Sequence, residues 1–211
     1  MIIRPHKIIP NPLHTFCLEA TSMTRSSRVD MNTHRNLLIE KMKQLLPDDS
    51  NCTPFEGVSF HRCHNNHDQR ALLYRPMVVV IAQGQKFIRI GDEDFIHGGN
   101  TFFIAGADMP TTFAMGKCSA EHPFLSISID LDRALIARML AEIPPSLVRG
   151  KGDSRGAKVV EMEPEFLDAV LRLTEQALES DNDFLARMIV REIHYRLLTG
   201  PFGHQLRTLN T

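Results

Sequence analysis

Hydrophobic and polar residues follow two different periods along this chain. Over residues 33–46 the apolar side chains recur at steps of three and four, which predicts an amphipathic helix that Pro47 ends. Over residues 55–131 many short segments alternate apolar and polar residues, with glycine-containing turns between them. Closely spaced short strands of this kind predict a β-sandwich or barrel rather than βαβ units.

The helical period returns after residue 131. It predicts three further helices: one at residues 132–143, one beginning at Pro164, and one at residues 184–198 that ends before Gly200-Pro201. A glycine-containing basic loop at residues 149–156 separates the first two of these helices.

The chain therefore divides into a few predicted parts. Residues 1–32 show no sustained period, and we interpret them as a disordered arm or the product of a start codon placed too far upstream. Residues 33–131 are predicted to form one helix and the β-rich domain, and residues 132–206 a helical extension.

Composition and charge exclude some classes of function. The 24 Lys and Arg residues nearly balance the 25 Asp and Glu residues, which argues against a domain that holds nucleic acid by neutralising phosphates. Trp is absent and Tyr occurs twice, so an aromatic platform for stacking bases is not expected. No apolar run approaches the roughly 20 residues of a membrane helix, so no membrane contact is expected.

The cysteines indicate a reducing compartment. Cys17, Cys52, Cys63 and Cys118 stand far apart and form no C-x-x-C pair. We expect free thiols and a cytoplasmic location.

Histidines invite a metal-binding interpretation, which their spacing disfavours. His61, His64 and His67 follow at steps of three, whereas two ligands on one strand face need a step of two. His97 and His122 are predicted to lie in or beside turns. We therefore interpret these residues as solvated loop histidines and expect neither a metal nor a cofactor.

No motif supports catalysis. The glycine–lysine segment that begins at Gly150 lacks the phosphate-loop pattern, and no G-x-S-x-G occurs. We expect no catalytic residue.

The last predicted helix has two possible uses. Its apolar residues fit either the domain core or a helix–helix dimer seam, because both require one apolar stripe. Three helices beside one small β-domain offer more apolar surface than that domain can cover, which favours dimerisation. The candidate interface residues are Leu185, Met188, Ile189, Ile193 and Leu197.

A series of short motifs stands in a fixed order along the chain: Tyr74-Arg75-Pro76, Gln83-Gly84-Gln85-Lys86, Gly91-Asp92, Gly99, Asp108-Met109-Pro110, Ser119-Ala120-Glu121-His122-Pro123, Leu131-Asp132, and the segment 191–201. Together they resemble the N-terminal regulatory domain of bacterial AraC-type transcription regulators. The resemblance covers roughly residues 37–206. Ile96 departs from it by replacing an aromatic residue that is common there.

This resemblance implies a fold and a function. The fold would be α+β, a cupin-like jelly-roll barrel preceded by one helix and followed by about three helices that mediate homodimerisation. The domain would sense a small-molecule effector inside the barrel and pass that state to a C-terminal helix-turn-helix domain that binds promoter DNA. Residues 207–211 would begin the linker to that domain, which is absent from this sequence.

Residues on or beside the predicted barrel strands are the candidates for lining an effector pocket at the barrel mouth. They are Tyr74, Arg75, Lys86, Arg89 and Phe103. Two alternatives remain: a metal-dependent cupin enzyme, such as an isomerase or dioxygenase, and a barrel that serves only as a dimerisation scaffold.

Overall fold

The computed structural model describes residues 25–65, 69–150, 156–179 and 183–210. Residues 1–24 of the predicted arm, with Cys17, lie outside this description, as do His67 and the segment 151–155.

The described chain runs from one helix through nine strands into a mixed C-terminal part. The helices are α1 (Arg25–Leu45), α2 (Arg133–Glu142), α3 (Pro164–Glu179), α4 (Phe184–Thr199) and α5 (Gly203–Asn210), with a 3₁₀ turn at Pro145–Leu147. The strands are β1 (Ser50–Phe55), β2 (Val58–Cys63), β3 (Arg70–Tyr74), β4 (Met77–Gln83), β5 (Gln85–Ile90), β6 (Glu93–Gly98), β7 (Thr101–Ala105), β8 (Met109–Met115), β9 (Phe124–Asp130) and β10 (Ala157–Glu161).

The strands of the described residues form two antiparallel sheets. A six-stranded sheet has the order β1-β2-β9-β4-β7-β10, and a four-stranded sheet has the order β3-β8-β5-β6. The predicted α+β fold is confirmed as a jelly-roll-like sandwich with one helix before it and further helices after it. Within the described residues the sheets do not close into a barrel.

The helices cover one face of the six-stranded sheet. Phe102 of β7 stacks on Phe166 of α3, with ring centroids 4.6 Å apart. Leu38 of α1 and Ile193 of α4 are buried in the same apolar cluster. The other face of this sheet meets the four-stranded sheet, so β4 is covered on both sides, which explains its continuous run of apolar residues.

Local sequence signals explain one hairpin turn and the start of one helix. Gly91 adopts a positive φ of 57° in the two-residue turn between β5 and β6, a conformation that glycine adopts without steric cost. Asp132 caps α2, since its side chain accepts a hydrogen bond of 3.0 Å from the backbone N–H of Leu135.

Three elements differ from the sequence prediction. Helix α1 begins at Arg25 rather than at residue 33, so the end of the predicted arm is helical and Met31 is buried. Strand β10 follows the predicted loop and pairs with β7. Residues 207–210, expected to begin a linker, continue α5, which is anchored by the buried Leu206.

Candidate functional site

A cavity of about 610 Å³ lies between the two sheets. One wall is the inner face of β1, β2 and β9, and the opposite wall is the inner face of β3, β5 and β8. Because side chains alternate across a strand, every second residue of these strands points inward. Small-molecule sites typically measure roughly 300–1,000 Å³, so the cavity has the size of a ligand site.

The wall formed by β2 and β9 is polar. Ser59 pairs with Ser128 and His61 pairs with Ser126 in the ladder that joins these strands. His61 Nδ1 lies 2.9 Å from Asn51 Oδ1, and its Nε2 lies 3.2 Å from Ser128 Oγ. Because the amide oxygen only accepts, this geometry fits an Nδ1–H donor and a Ser128 hydroxyl that donates to Nε2. Burial, aided by the charge of Lys86, lowers the pKa of His61 and favours this neutral form.

The remaining lining is mostly apolar and comes from both sheets. Its apolar members are Leu72, Tyr74, Met77, Val79, Phe113, Met115 and Phe124, and Ser50, Arg62, Cys63 and Arg70 also line the cavity. Polar and apolar side chains together make the cavity amphipathic.

Lys86 brings a positive charge into this cavity. Its ammonium lies 4.2 Å from the ring centroid of Phe113 and 5.3 Å from that of Tyr74, the range of cation–π contacts. Burial lowers its pKa from 10.5 to about 8, so the side chain remains mostly protonated at neutral pH. Within the described residues it forms no ion pair with a carboxylate.

Two carboxylates also line the cavity, and within the described residues neither is paired with Lys86. Asp49 Oδ1 lies 3.2 Å from His64 Nδ1. Burial raises the pKa of Asp130, and the charge of Arg75 opposes this effect. The charge of Lys86 is therefore left to act on the cavity.

Two buried polar side chains next to Lys86 have no hydrogen-bond partner in the described part of the chain. His97 of β6 is the cross-strand neighbour of Lys86 and is only 2 % exposed, and neither of its ring nitrogens is bonded. The hydroxyl of Tyr74 is also unbonded. Burial, with the charge of Lys86, lowers the pKa of His97 to about 3. An unsatisfied buried polar group costs about 1–3 kcal/mol, so both side chains lower the stability of the unliganded fold.

The family model described as AraC-type transcriptional regulator N-terminus matches residues 54–205. The chain belongs to this family. Among curated protein sequences none matches this chain.

Solved structures of ToxT from Vibrio cholerae resemble this chain, and the first of them shares its fold. An apo variant of ToxT from strain SCE256 has a TM-score of 0.51 and 6 % identity, covering 74 % of this chain and 58 % of that chain. ToxT from strain O395 has a TM-score of 0.47 and 8 % identity, covering 73 % and 55 %. ToxT from strain SCE256 bound to an unsaturated fatty acid has a TM-score of 0.44 and 9 % identity, covering 78 % and 57 %. This chain thus spans less than two thirds of the ToxT chains.

In this AraC-type domain the five predicted lining residues do not come together. Tyr74 and Lys86 line the cavity. Phe103 is fully buried behind it, with its ring 5.8 Å from that of Tyr74 and 5.6 Å from that of His97. Arg75 is exposed, and Arg89 lies on the outer face of β5, where its Nε is 2.6 Å from Asp94 Oδ1.

The sequence prediction missed the polar wall and misplaced His97. The alternation of serines with apolar residues in β9 was visible, but the serines occupy the inner face rather than a solvated one. The prediction of a solvated His97 is wrong, because the residue lies inside the sandwich on β6. His61 also lies on a strand, while His122 stays exposed in the loop before β9.

No group of three or more His, Cys, Asp or Glu side chains in the described residues is arranged to hold a metal ion. Nor does any helix of the described residues have the length and apolar character needed to cross a bilayer.

The predicted interface residues of α4 divide between two faces. Ile189, Ile193 and Leu197 are buried in the core of the AraC-type domain itself, so they cannot form a seam with a partner while this core is intact. Leu185 and Met188 are more than half exposed. They adjoin Phe184 and Tyr195, two further exposed apolar residues of α4.

Proposed function

We propose that this chain is the effector-sensing and dimerisation domain of an AraC-type transcription regulator, and that its cavity binds a small amphipathic carboxylate. The observation that carries the proposal is the ammonium of Lys86, which lies in an amphipathic cavity and has no carboxylate partner among the residues that the structure describes.

The cavity chemistry favours an anionic ligand. A partly buried cation without an anion carries a desolvation cost that a bound carboxylate would offset, and a hydrogen bond to a charged group contributes about 1.5–3 kcal/mol. The hydroxyl of Ser126, which lines the same polar wall, offers a further hydrogen bond to the ligand. The rings of Phe113 and Phe124 provide an apolar surface for the rest of the ligand.

Matched probes test this proposal. Octanoate, octanol and octylamine share one apolar chain and differ in the charge of the head group. We expect octanoate to raise the melting temperature most and octylamine least, and Lys86→Met to remove the preference for octanoate. Arg89→Met is the control, because Arg89 lies on the outer face of the same strand. Equal stabilisation by all three probes would contradict the proposal.

The dimerisation part of the proposal rests on the exposed face of α4. A groove of about 500 Å³ runs between α2 and α4 and is lined by Met139, Ile143, Leu147, Met188 and Tyr195. Exposed apolar side chains of this density are characteristic of protein–protein contacts. A second copy of the chain presents the same patch, as a two-fold symmetric dimer requires.

Light scattering on single variants tests the dimer. Met188→Glu should give monomers, because it places a charge in the apolar groove. Leu73→Glu is the matched control: Leu73 is equally apolar and exposed but lies on the four-stranded sheet. Ile189 is unsuitable, since a charge at this buried position would disrupt the core. A monomeric wild-type chain at high micromolar concentration would contradict dimerisation.

Two further parts of the proposal concern the whole regulator. Promoter DNA would be bound by a separate helix-turn-helix domain, and the effector would act by favouring one dimer arrangement over another. The chain would act in the cytoplasm without catalytic activity. Stoichiometric metal in the purified chain, found by elemental analysis, would instead favour a cupin enzyme.

A further inference from the structure

Cys63 and Cys118 lie together although 55 positions separate them in sequence. The thiol of Cys118 hydrogen-bonds to the thiol of Cys63, and its sulfur also accepts from the backbone N–H of Phe124. Cys63 is the ladder partner of that same Phe124 in the β2–β9 pair. Two independent contacts to one residue therefore fix the position of the thiol pair.

The orientation of the two thiols follows from their partners. Cys63 Sγ donates to the backbone carbonyl of Asn65 at 3.1 Å. Its proton is thereby engaged, so Cys118 is the donor in the bond between the thiols. A disulfide has an S–S length of about 2 Å, so the two sulfurs must approach from hydrogen-bonding contact to that distance.

The pair stands at the rim of the cavity. Cys63 and Phe124 both line the cavity, and Cys118 lies in the segment 116–123, which crosses from β8 in the four-stranded sheet to β9 in the six-stranded sheet. A covalent bond between the thiols would tie this crossover to the end of β2. We infer that Cys63 and Cys118 form a reversible disulfide that fixes the rim of the cavity when a hydroperoxide oxidises the chain.

The chemistry balances with hydrogen peroxide as oxidant. The sulfur of one cysteine attacks a peroxide oxygen, the O–O bond breaks, and a sulfenic acid and one water form. The sulfur of the second cysteine then attacks the sulfenic sulfur. The hydroxyl of the sulfenic acid leaves with the proton of the second thiol as a second water. Two thiols lose two electrons and two protons in total, and a dithiol reductant reverses the reaction.

The surroundings of the pair set the pH dependence of this step. Burial, with the neighbouring Cys63 and Asp49, raises the pKa of the Cys118 thiol. Since the thiolate is the nucleophile, Cys118 reacts slowly at neutral pH and faster as the pH rises. Cys52 is a natural control. It lies on β1 and packs towards the helices, away from this pair.

The reduced full chain is treated with hydrogen peroxide, the remaining thiols are blocked with N-ethylmaleimide, and peptides are mapped by mass spectrometry. We expect a peptide that links Cys63 to Cys118, and titratable thiols that fall from the four of the sequence to two and return with dithiothreitol. Cys63→Ser and Cys118→Ser should each abolish the link, and Cys52→Ser should leave it.

Two further outcomes bear on the inference. The oxidised chain should melt several degrees above the reduced chain, since the cross-link closes a long loop. Links that involve Cys17 or Cys52, or links between chains, would overturn the assignment, as would thiol loss without a disulfide. A Cys63–Cys118 disulfide with an unchanged melting temperature would overturn the claim that it fixes the rim. None of these measurements uses a ligand, so their failure leaves the proposed function standing.

Discussion

Replacing Lys86 by Met should stabilise the unliganded domain. Burial lowers the pKa of Lys86 from 10.5 to about 8, and at 1.36 kcal/mol per unit this amounts to roughly 3 kcal/mol against the charged form. Met has a similar length and carries no charge. Its loss of the cation–π contacts to Phe113 and Tyr74 costs about 0.5–2 kcal/mol. The net expected gain in the free energy of unfolding is about 1–3 kcal/mol.

The pH dependence of stability gives this prediction its sign. The folded pKa lies below the unfolded one, so between about pH 8 and pH 10.5 the unfolded chain binds more protons than the folded chain. The contribution of Lys86 to stability therefore rises through this window and is constant below it. The Met variant lacks this rise, so its advantage over wild type shrinks as the pH increases.

Urea denaturation at neutral pH and at about pH 10 measures both effects. The same variant should bind octanoate about tenfold more weakly or worse, because it loses a charged hydrogen bond. Arg89→Met serves as the control and should change neither the alkaline slope nor the affinity. A Lys86→Met variant that is less stable than wild type at neutral pH would refute the reasoning, as would one with the wild-type alkaline slope.

Three other substitutions test the fold and its buried groups. The pKa of His97 in the folded chain is about 3, against an ordinary 6.5, so its contribution to stability is lost as the pH falls through this range. Thermal melts should therefore show a weaker acid dependence for His97→Leu than for wild type, and an unchanged dependence would contradict the burial of His97. In urea titration at a protein concentration too low for dimers, Ile193→Ala should cost about 2–5 kcal/mol whereas Leu185→Ala should stay near wild type, because only Ile193 is buried. Equal losses would contradict the two-faced helix. Gly203→Ala should lower the melting temperature sharply, since a Cβ there would collide with the carbonyl of the α4 residue Leu198; a wild-type melt would contradict this tight turn.

Periodicity predicted those elements whose two faces differ in polarity. Strand β9 alternates cleanly, and β4 appears as a continuous apolar run because both of its faces are covered. Strand β10 has five residues and follows a glycine-containing loop, so its sequence alone carries too little pattern. Helix α5 begins two residues after Pro201, a residue that otherwise marks the end of a helical region.

The site was only partly predictable for a different reason. Lys86 and Arg89 are three positions apart on one strand and therefore point to opposite faces, so the sequence already contained the reason to separate them. It could not show which face is the inside of the sandwich. Serines and a histidine on β2 and β9 suggest a solvent-exposed face. Only the packing of the four-stranded sheet against that face places Ser126 and His61 inside the sandwich.

Buried polar side chains away from the cavity have hydrogen-bond partners, in contrast to Tyr74 and His97. His194 is as deeply buried as His97, yet its Nε2 accepts from the backbone N–H of Asp132 at 3.1 Å and its Nδ1 lies 2.8 Å from the carbonyl oxygen of Val190. Thr174 is likewise satisfied within its helix, by the carbonyl of Val170.

In the described part of the chain, the buried side-chain atoms without a partner belong to Tyr74 and His97. Both residues flank Lys86, which also forms no ion pair with any residue that the structure describes. A scaffold under selection for stability alone would place apolar side chains at these positions, as it does at Val79 and Ile88 of the same cluster. The unsatisfied groups are concentrated where a ligand would supply a charge and hydrogen-bonding atoms. That concentration is the physical reason to propose effector binding between the sheets rather than in the surface groove between α2 and α4.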